Sequence, residues 1–205
     1  MKPIILIGGG GHAQSVLSAM SNQTNIIGYA DLQANEKLGI TYLGTDDKVI
    51  STLSLNDYDV HITFVYAGEV NLHLRESIIR KYADFLHATL VAPSAYITQN
   101  VHIDEGTCVM ENAVIKAEEI GKDSIINTGA IVEHGCVIGS NVLVATGAIV
   151  CGDVRIGDNC IIGAGAIIRD GISICADTII GAGAVVIKDI TESGTYVGNP
   201  AKRIK

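Results

Sequence analysis

An aliphatic residue recurs at every sixth position through the second half of the chain, and this period restricts the fold more than any other feature. Between residues 120 and 186 every member of the series is Ile or Val: Ile120, Ile126, Val132, Ile138, Val144, Val150, Ile156, Ile162, Ile168, Ile174, Ile180 and Val186. The series extends upstream to residue 97, with one five-residue step between Ile115 and Ile120. A period of six fits neither an amphipathic helix nor an alternating strand, and it is typical of a parallel β-helix.

A second period of eighteen residues lies within the first. The segment Ile126-Asn-Thr-Gly-Ala-Ile-Val132 recurs in similar form from Val144, Ile162 and Ile180, so three hexads make one coil of triangular section. Four glycines share one column, where we expect a corner with positive φ: Gly129, Gly147, Gly165 and Gly183. No Phe, Tyr or Trp occurs between residues 97 and 195, as expected for a narrow prism filled with aliphatic layers. A repeat this regular argues against an ordinary β-sandwich.

Composition limits the classes of function. Acidic residues outnumber basic ones by 22 to 14, and this net charge of −8 argues against nucleic acid as the main partner. The apolar run from Ile4 to Ile7 is too short for a signal peptide or a membrane span. The five cysteines are expected to be reduced packing residues, not disulfides or metal ligands. We therefore expect a cytoplasmic protein with no membrane insertion.

The first 93 residues predict a small parallel α/β domain of Rossmann-like type, followed by the β-helix domain in residues 94–205. A short apolar strand leads into Gly8-x-Gly10-x-x-Ala13, and Asp31 ends the next predicted strand. Glycine amides at a strand-to-helix turn form a site for a phosphate or a carboxylate. Because the domain is about half the size of a full dinucleotide fold, a mononucleotide or a nucleotide-sugar is a better ligand than NAD.

His134 is the strongest candidate for chemistry in the prism. It is the third residue of its hexad, which puts it on the outer wall or at a corner, and Gly152 is its equivalent one coil further on. Equivalent residues of adjacent coils stack about 4.8 Å apart. A histidine beside a glycine leaves a gap in which a substrate carbonyl can reach a backbone N–H, the minimum arrangement for acyl transfer.

Three stretches together resemble the bacterial sugar O-/N-acetyltransferases. They are Gly9-Gly-Gly-His12-Ala, the segment from Ile126 to His134 with the hexads after it, and Val197-Gly-Asn-Pro-Ala-Lys202. These enzymes include sialic acid O-acetyltransferases and N-acetyltransferases of nucleotide-linked 4-amino-4,6-dideoxy sugars. The resemblance implies a left-handed β-helix, a homotrimer, acetyl-CoA along the prism near a subunit boundary, and a nucleotide-sugar acceptor on the N-terminal domain.

The resemblance also implies roles for individual residues. His134 is expected to be the catalytic base, with the Gly152 N–H supporting the oxyanion. Residues expected to face the nucleotide-sugar are Gly10, Gly11, His12, Asp31, Gly68 and, on the prism, Asn127. Residues expected to contact acetyl-CoA, largely through backbone groups, are Leu143, Gly152, Ala164 and Ala182.

The sequence departs from the best-known N-acetyltransferases directly after the catalytic histidine, where they carry an acidic residue and this chain has Gly135. Glu133 precedes the histidine, but neighbours on a strand face opposite ways. The column arithmetic offers Asp153, one coil above Gly135, and Glu118, one coil below. Either carboxylate is a possible partner of His134.

Four functions remain open from the sequence. The first is N-acetylation, by acetyl-CoA, of the 4-amino group of a nucleotide-linked amino-deoxy sugar for surface glycans. The second is O-acetylation of sialic acid or a related hydroxyl by the same residues. A metal-dependent hydratase needs about three histidine ligands, and the prism has only His102 and His134. A non-catalytic binding module would bind no acetyl-CoA and tolerate the loss of His134.

Overall fold

The computed structural model describes residues 2–20, 24–65 and 72–205. The chain divides into two compact units, one ending at Leu90 and the next beginning at Val91. The boundary expected after residue 93 lies just beyond this division. None of the helices in the described ranges is long and apolar enough to cross a bilayer.

The first unit is built on a parallel sheet with the order β3-β2-β1-β4. Its strands are β1 Ile4–Ile7, β2 Ile26–Ala30, β3 Thr41–Gly44 and β4 Asp59–Ile62, and its helices are α1 Gly11–Ala19, α2 Asp46–Thr52 and α3 Leu72–Lys81, with a 3₁₀ turn at Glu36–Leu38. All four residues of the central strand β1 are buried, and so are those of β4, which ends the strand order and is bridged on its outer side by His87 at Val60. This is the small Rossmann-like domain that the sequence predicts.

The second unit is a stack of very short parallel strands, which ends in one antiparallel pair. The strands are β5 Leu90–Val91, β6 Tyr96–Ile97, β7 His102–Ile103, β8 Cys108–Val109, β9 Val114–Ile115, β10 Glu119–Ile120, β11 Ile125–Ile126, β12 Ile131–Val132, β13 Val137–Ile138, β14 Leu143–Val144, β15 Ile149–Val150, β16 Arg155–Ile156, β17 Ile161–Ile162, β18 Ile167–Ile168, β19 Ser173–Ile174, β20 Thr178–Ile180, β21 Val185–Val186, β22 Gly194–Val197 and β23 Lys202–Arg203.

These strands form the three faces of a triangular prism, which we name after their members. The β11 face has the order β23-β22-β20-β17-β14-β11-β8-β5, the β12 face β21-β18-β15-β12-β9-β6, and the β13 face β19-β16-β13-β10-β7. The register advances by eighteen residues per coil, as where Ile126 pairs with Val144, except that Val132 pairs with Ile115 below it. The five-residue step predicted after Ile115 accounts for this offset.

The inward residue of each strand supplies the core of the prism. The aliphatic residues of the six-residue series from Ile120 to Val186 are all buried, and each contributes about 1.5–3 kcal/mol on burial. The corner column of Gly129, Gly147, Gly165 and Gly183 has φ between 64° and 66°, which confirms the expected left-handed corner. The second unit is a left-handed parallel β-helix of hexapeptide repeats.

The outward residues differ between faces. On the β12 face they are aliphatic and partly exposed in successive coils, in the order Val114, Ile131, Ile149, Ile167 and Val185. On the β13 face the same positions are mostly polar, in the order His102, Glu119, Val137, Arg155 and Ser173. The β12 face therefore presents an apolar stripe along the prism, whereas the β13 face has the composition of a solvated surface.

Candidate active site

His134 lies at the corner between the β12 and β13 faces, here called the 134 corner, and its ring covers Gly152 of the next coil. A β-carbon at Gly152 would lie 2.6 Å from Cε1 and 2.9 Å from Nε2 of His134. The gap expected beside Gly152 is therefore filled by the imidazole itself, and only glycine leaves room for it. Within the described residues the Gly152 N–H donates no hydrogen bond. A ring nitrogen and an available amide donor thus meet at one corner.

Asp153 and Gly135 form the column next to that of Gly152 and His134 in the same two coils. The Asp153 side chain folds back over Gly135, so that a β-carbon at position 135 would collide with its Oδ1. The Asp153 N–H donates to the His134 carbonyl at 2.8 Å, and both Asp153 and Gly135 have positive φ, at 60° and 68°. The space that a side chain at position 135 would enter is therefore occupied by the carboxylate of the coil above.

The other two acidic residues considered as partners of His134 are either paired with another side chain or lie opposite a different residue. The Glu133 carboxylate pairs with Lys116 at 3.0 Å, and this contact, with the His134 backbone N–H, lowers the pKa of Glu133. The Glu118 N–H donates to the Cys136 carbonyl, because the ordinary offset of eighteen residues applies here and puts Glu118 opposite Cys136, not opposite Gly135. In the described part of the chain, neither Glu118 nor Asp153 forms a hydrogen bond or an ion pair with the His134 ring.

The other expected acetyl-CoA contacts lie elsewhere on the prism. Ala164 and Ala182 stack, both exposed, at the corner between the β11 and β12 faces, and their N–H groups donate no hydrogen bond within the described residues. The Leu143 side chain is 7% exposed on the β11 face, and its N–H is used by the Cys160 carbonyl. A single chain therefore puts Gly152 at one corner and both alanines at another.

Asn127 also lies away from His134 within one chain. It occupies the corner between the β11 and β12 faces, where its Oδ1 accepts from the Thr128 N–H at 2.8 Å. Strand β12 separates Asn127 from His134, so the width of the β12 face lies between them.

In the first unit, the glycine loop joins β1 to α1 as the sequence predicts. Gly10 is the N-cap of α1 and no side chain caps the helix, so its first amides remain available to an anion. The loop is held from both sides, because the Gly9 N–H donates to Asp31 Oδ2 at 2.6 Å and Asn35 Nδ2 donates to the Gly9 carbonyl at 2.7 Å. The sequence does not indicate this role of Asn35, because an asparagine in an irregular segment carries no periodic signal.

Asp31 supports the loop and also borders a cavity of about 330 Å³ at the carboxyl ends of β1 and β2. The cavity walls are mainly apolar and include Leu32, Phe64 and Ile78, with Lys81 among the polar groups. A ligand at the carboxyl ends of parallel strands is the usual arrangement in open α/β sheets. Gly68, expected at this site, lies outside the described residues.

His12 is the residue whose state the structure defines most sharply. Its Nε2 is buried and forms no hydrogen bond in the part of the chain that the structure describes. Burial, followed by the charges of His61 and Arg75, lowers the pKa of His12 to about 4. His12 is therefore neutral at neutral pH, and because its Nε2 is buried away from solvent, the expected ligand contact of His12 stays a prediction.

Over the described ranges, no group of three or more His, Cys, Asp or Glu side chains is arranged to hold a metal ion. Fold and site together define the class: a hexapeptide-repeat β-helix with an exposed histidine over a glycine amide, joined to a small α/β unit with an open glycine loop.

Known proteins of this class are similar to the chain over its whole length. The "PglD N-terminal domain" model matches residues 3–81, "Hexapeptide repeat of succinyl-transferase" matches residues 120–146, and "Bacterial transferase hexapeptide (six repeats)" matches residues 153–188. Among curated protein sequences, none matches this chain.

Two solved structures illustrate the similarity. The acetyltransferase domain of PglB from Neisseria gonorrhoeae FA1090 is 29% identical, with complete coverage of both chains at 100% and a TM-score of 0.90. A histidine-to-asparagine variant of perosamine N-acetyltransferase from Caulobacter crescentus, in complex with CoA and GDP-perosamine, is 31% identical, covers 100% of this chain and 98% of its own, and has a TM-score of 0.89. The chain belongs to the hexapeptide-repeat sugar acetyltransferases.

Proposed function

We propose that this protein transfers the acetyl group of acetyl-CoA to the amine of a nucleotide-linked amino-deoxy sugar, with the 4-amino group as the acceptor position. The observation that carries the proposal is the His134 ring packed over Gly152, whose N–H is available. The family supports the same reaction, since the PglB domain is also known in complex with acetyl coenzyme A and the perosamine enzyme with CoA and GDP-perosamine.

The chemistry follows from this pair. The neutral sugar amine attacks the thioester carbonyl, and His134 accepts the proton that the nitrogen loses as the new C–N bond forms. The negative charge that develops on the carbonyl oxygen is stabilised by the Gly152 N–H. Cleavage of the C–S bond then releases coenzyme A, whose sulfur takes up a proton, and leaves the N-acetyl sugar.

We assign the nucleotide part of the acceptor to the first unit. The amides of Gly10 and Gly11 at the start of α1 suit a phosphate, and Asp31 and the cavity beside it suit the nucleoside. Neutral His12 contributes a nitrogen that can donate or accept without adding charge. The size of the unit argues against NAD as the ligand, because it is about half of a full dinucleotide-binding fold and provides a site for only one mononucleotide.

The active assembly in this proposal is a homotrimer that completes the acetyl-CoA site between chains. The apolar stripe on the β12 face supports an interface, and the separation of Gly152 from Ala164 and Ala182 supports a coenzyme held between two chains. We expect Ile149→Asp to give a monomer by light scattering, because it puts a charge in the stripe. Val137→Asp, at the same hexad position on the β13 face, should leave the trimer intact. A monomeric wild-type protein at micromolar concentration would exclude this assembly.

We also place the protein in the cytoplasm. None of the five cysteines forms a disulfide, and Cys108, Cys136 and Cys160 are buried. Free thiols persist in a reducing compartment, and a protein found outside it with paired cysteines would contradict this location.

The reaction itself is tested by incubating the protein with acetyl-CoA and a panel of UDP- and GDP-linked 4-amino-4,6-dideoxy sugars, with CMP-sialic acid as the hydroxyl acceptor. Mass spectrometry should find a hydroxide-stable acetyl adduct on an amino sugar, whereas an O-acetyl ester would be removed by mild base. His134→Ala should slow formation of the adduct by about 10²–10⁴-fold, and His102→Ala, which changes another exposed prism histidine, should leave the rate unchanged. Full activity of His134→Ala would refute the mechanism.

A further inference from the structure

A buried thiol lies beneath the turn that carries Gly152. The Cys136 side chain is fully buried, and its thiol donates to the Cys151 carbonyl with a sulfur–oxygen distance of 3.0 Å. The same sulfur accepts a hydrogen bond from the Val154 N–H. One side chain of the coil below therefore bonds to both ends of the turn from Cys151 to Val154, which contains Gly152.

The carbonyl that Cys136 engages belongs to the same peptide unit as the Gly152 N–H. A peptide bond is planar and trans, so its C=O and its N–H point in opposite directions. Because the Cys151 carbonyl is directed inward to a buried thiol, the Gly152 N–H is directed outward, at the corner where the His134 ring lies. Within the described part of the chain, the contact with Cys136 is the only hydrogen bond of this peptide unit.

The thiol is present as a donor at neutral pH. Burial raises the pKa of Cys136 to about 11, against the smaller opposing effect of the Val154 N–H. Cys136 therefore keeps its proton, and an S–H group is a weak hydrogen-bond donor. Hydrogen bonds in series polarise one another, so a donor on the carbonyl makes the N–H of the same peptide unit a stronger donor in turn. The thiol can thus act on the reaction through Gly152 without touching either substrate.

The sequence puts this donor beneath the coil of Gly152 and not beneath the coils that follow. Cys136 is the fifth residue of its hexad, and the fifth residues at the 134 corner one and two coils further on are Val154 and Ile172. Neither of these side chains has a donor, and the prism turns the same corner without one. Turning the corner therefore does not explain the thiol at position 136.

A second buried thiol makes the same contact away from Gly152. Cys160 is also the fifth residue of its hexad and fully buried, and it donates to the Cys175 carbonyl at 3.2 Å, at the corner between the β13 and β11 faces. At that corner Ser124 donates to the Gly139 carbonyl at 2.9 Å, so a serine hydroxyl fits this kind of position. Cys160 thus provides a matched comparison for Cys136.

We propose that Cys136 is a positioning residue for the acetyl transfer, because its thiol holds the Cys151–Gly152 peptide with the N–H outward and strengthens that N–H as the oxyanion donor. The inference rests on the acetyl transfer proposed above and extends the site to a side chain that contacts neither substrate. Loss of an oxyanion donor costs about 10²–10³-fold in kcat, and a hydrogen bond in series strengthens its neighbour by about 10–30%. Loss of that fraction of the stabilisation corresponds to about two- to eightfold in kcat.

Steady-state kinetics tests the proposal, with acetyl-CoA and whichever sugar of the UDP- and GDP-linked panel gives the largest adduct. Cys136→Ala should lower kcat about two- to eightfold. It should leave the KM for acetyl-CoA unchanged, because the N–H acts on charge that develops only in the transition state. Cys136→Ser should keep kcat close to that of the wild type, since its hydroxyl replaces the donor. Cys160→Ala should lower the melting temperature as much as Cys136→Ala does and keep the wild-type kcat.

Cys136→Val provides a second variant in case alanine leaves a cavity that prevents folding. Valine fills the space without a donor, as Val154 does one coil further on, and it should lower kcat as alanine does. Wild-type kcat in a folded Cys136→Ala or Cys136→Val protein would overturn the inference, and so would equal losses in Cys136→Ser and Cys136→Ala or in Cys160→Ala and Cys136→Ala. The acetyl transfer itself would stand in each of these cases, because the wild type is active. A wild-type protein that acetylates no sugar of the panel would overturn both.

Discussion

Replacing Gly152 by alanine should remove most of the activity without unfolding the protein. The new β-carbon would lie 2.6 Å from His134 Cε1, whereas ordinary contact begins near 3.4 Å, so the ring must retreat by about 0.8 Å. Gly152 is not among the residues with positive φ, and the ring it displaces is exposed, so alanine fits the backbone. The Gly152 N–H is retained, and the loss therefore reports on the base.

The expected magnitude follows from that displacement. A misplacement near 1 Å can cost about 10²-fold in rate, which corresponds to about 2.7 kcal/mol of transition-state stabilisation. We expect kcat to fall by about that factor, with the melting temperature nearly unchanged. Steady-state kinetics with saturating acetyl-CoA and acceptor measures the first quantity, and thermal unfolding followed by circular dichroism measures the second.

A double-mutant cycle decides whether the ring is the cause. In a His134→Ala protein there is no imidazole to displace, so adding Gly152→Ala should cost little further activity. Additive losses in the double variant would mean that alanine at position 152 acts on the coenzyme or the amide. Activity of Gly152→Ala close to wild type would refute the assignment of His134 as the base in this geometry.

Three further outcomes are expected. Asp153→Asn should lower kcat several-fold and move the acidic limb of the pH–rate profile to lower pH, whereas Glu118→Gln should do neither. Equal profiles for wild type and Asp153→Asn would show that His134 acts without this carboxylate. The pKa of His12 is lowered to about 4 in the folded protein, whereas the unfolded chain protonates this residue below about pH 6.5. The stabilisation from neutral His12 is therefore present above that pH, and the free energy of unfolding falls by about 3 kcal/mol as the pH drops toward 4. His12→Gln should flatten this fall, and an unchanged slope would contradict the burial of a neutral imidazole. Gly10→Ala should raise the acceptor KM and leave the acetyl-CoA KM and the stability unchanged, since its β-carbon meets nothing within 4 Å. Gly9→Ala should instead destabilise the fold by about 1–3 kcal/mol, because its β-carbon would lie 2.7 Å from the Tyr29 ring. Tight NAD binding by the wild type in a calorimetric titration would refute the nucleotide-sugar assignment.

The prism could be predicted because the period of the repeat determines the register of its strands. Each inward Ile or Val stacks on the one eighteen residues away, so the positions of Gly129 and Gly152 follow from arithmetic, including the shift after Ile115. The same arithmetic separates Ala164 from Gly152, since their numbers differ by two hexads and so fall on different corners.

The side-chain arrangement at the site could not be read in the same way. The sequence indicates a gap beside Gly152, and the rotamer of His134 fills it. Asp153 has a left-handed backbone and reaches down to Gly135, a choice that depends on the space left by the coil below. Glu118 lies opposite Cys136 at the ordinary offset of eighteen residues, because the residue missing from the short hexad falls before it, and column counting at a corner does not resolve this one-residue effect.

The aliphatic filling of the prism also gives the two units different optical signals. The chain has no tryptophan, and of its seven tyrosines only Tyr96 and Tyr196 lie beyond residue 90. In the first unit, Tyr29 packs on Tyr42 with ring centroids 5.4 Å apart, and Tyr82 packs on Phe85 at 5.8 Å. Near-ultraviolet circular dichroism will therefore report mainly on the α/β unit, whereas the β-helix dominates the strand signal in the far ultraviolet. Loss of the first signal at a lower temperature than the second would reveal a state in which the α/β unit has unfolded while the prism remains intact.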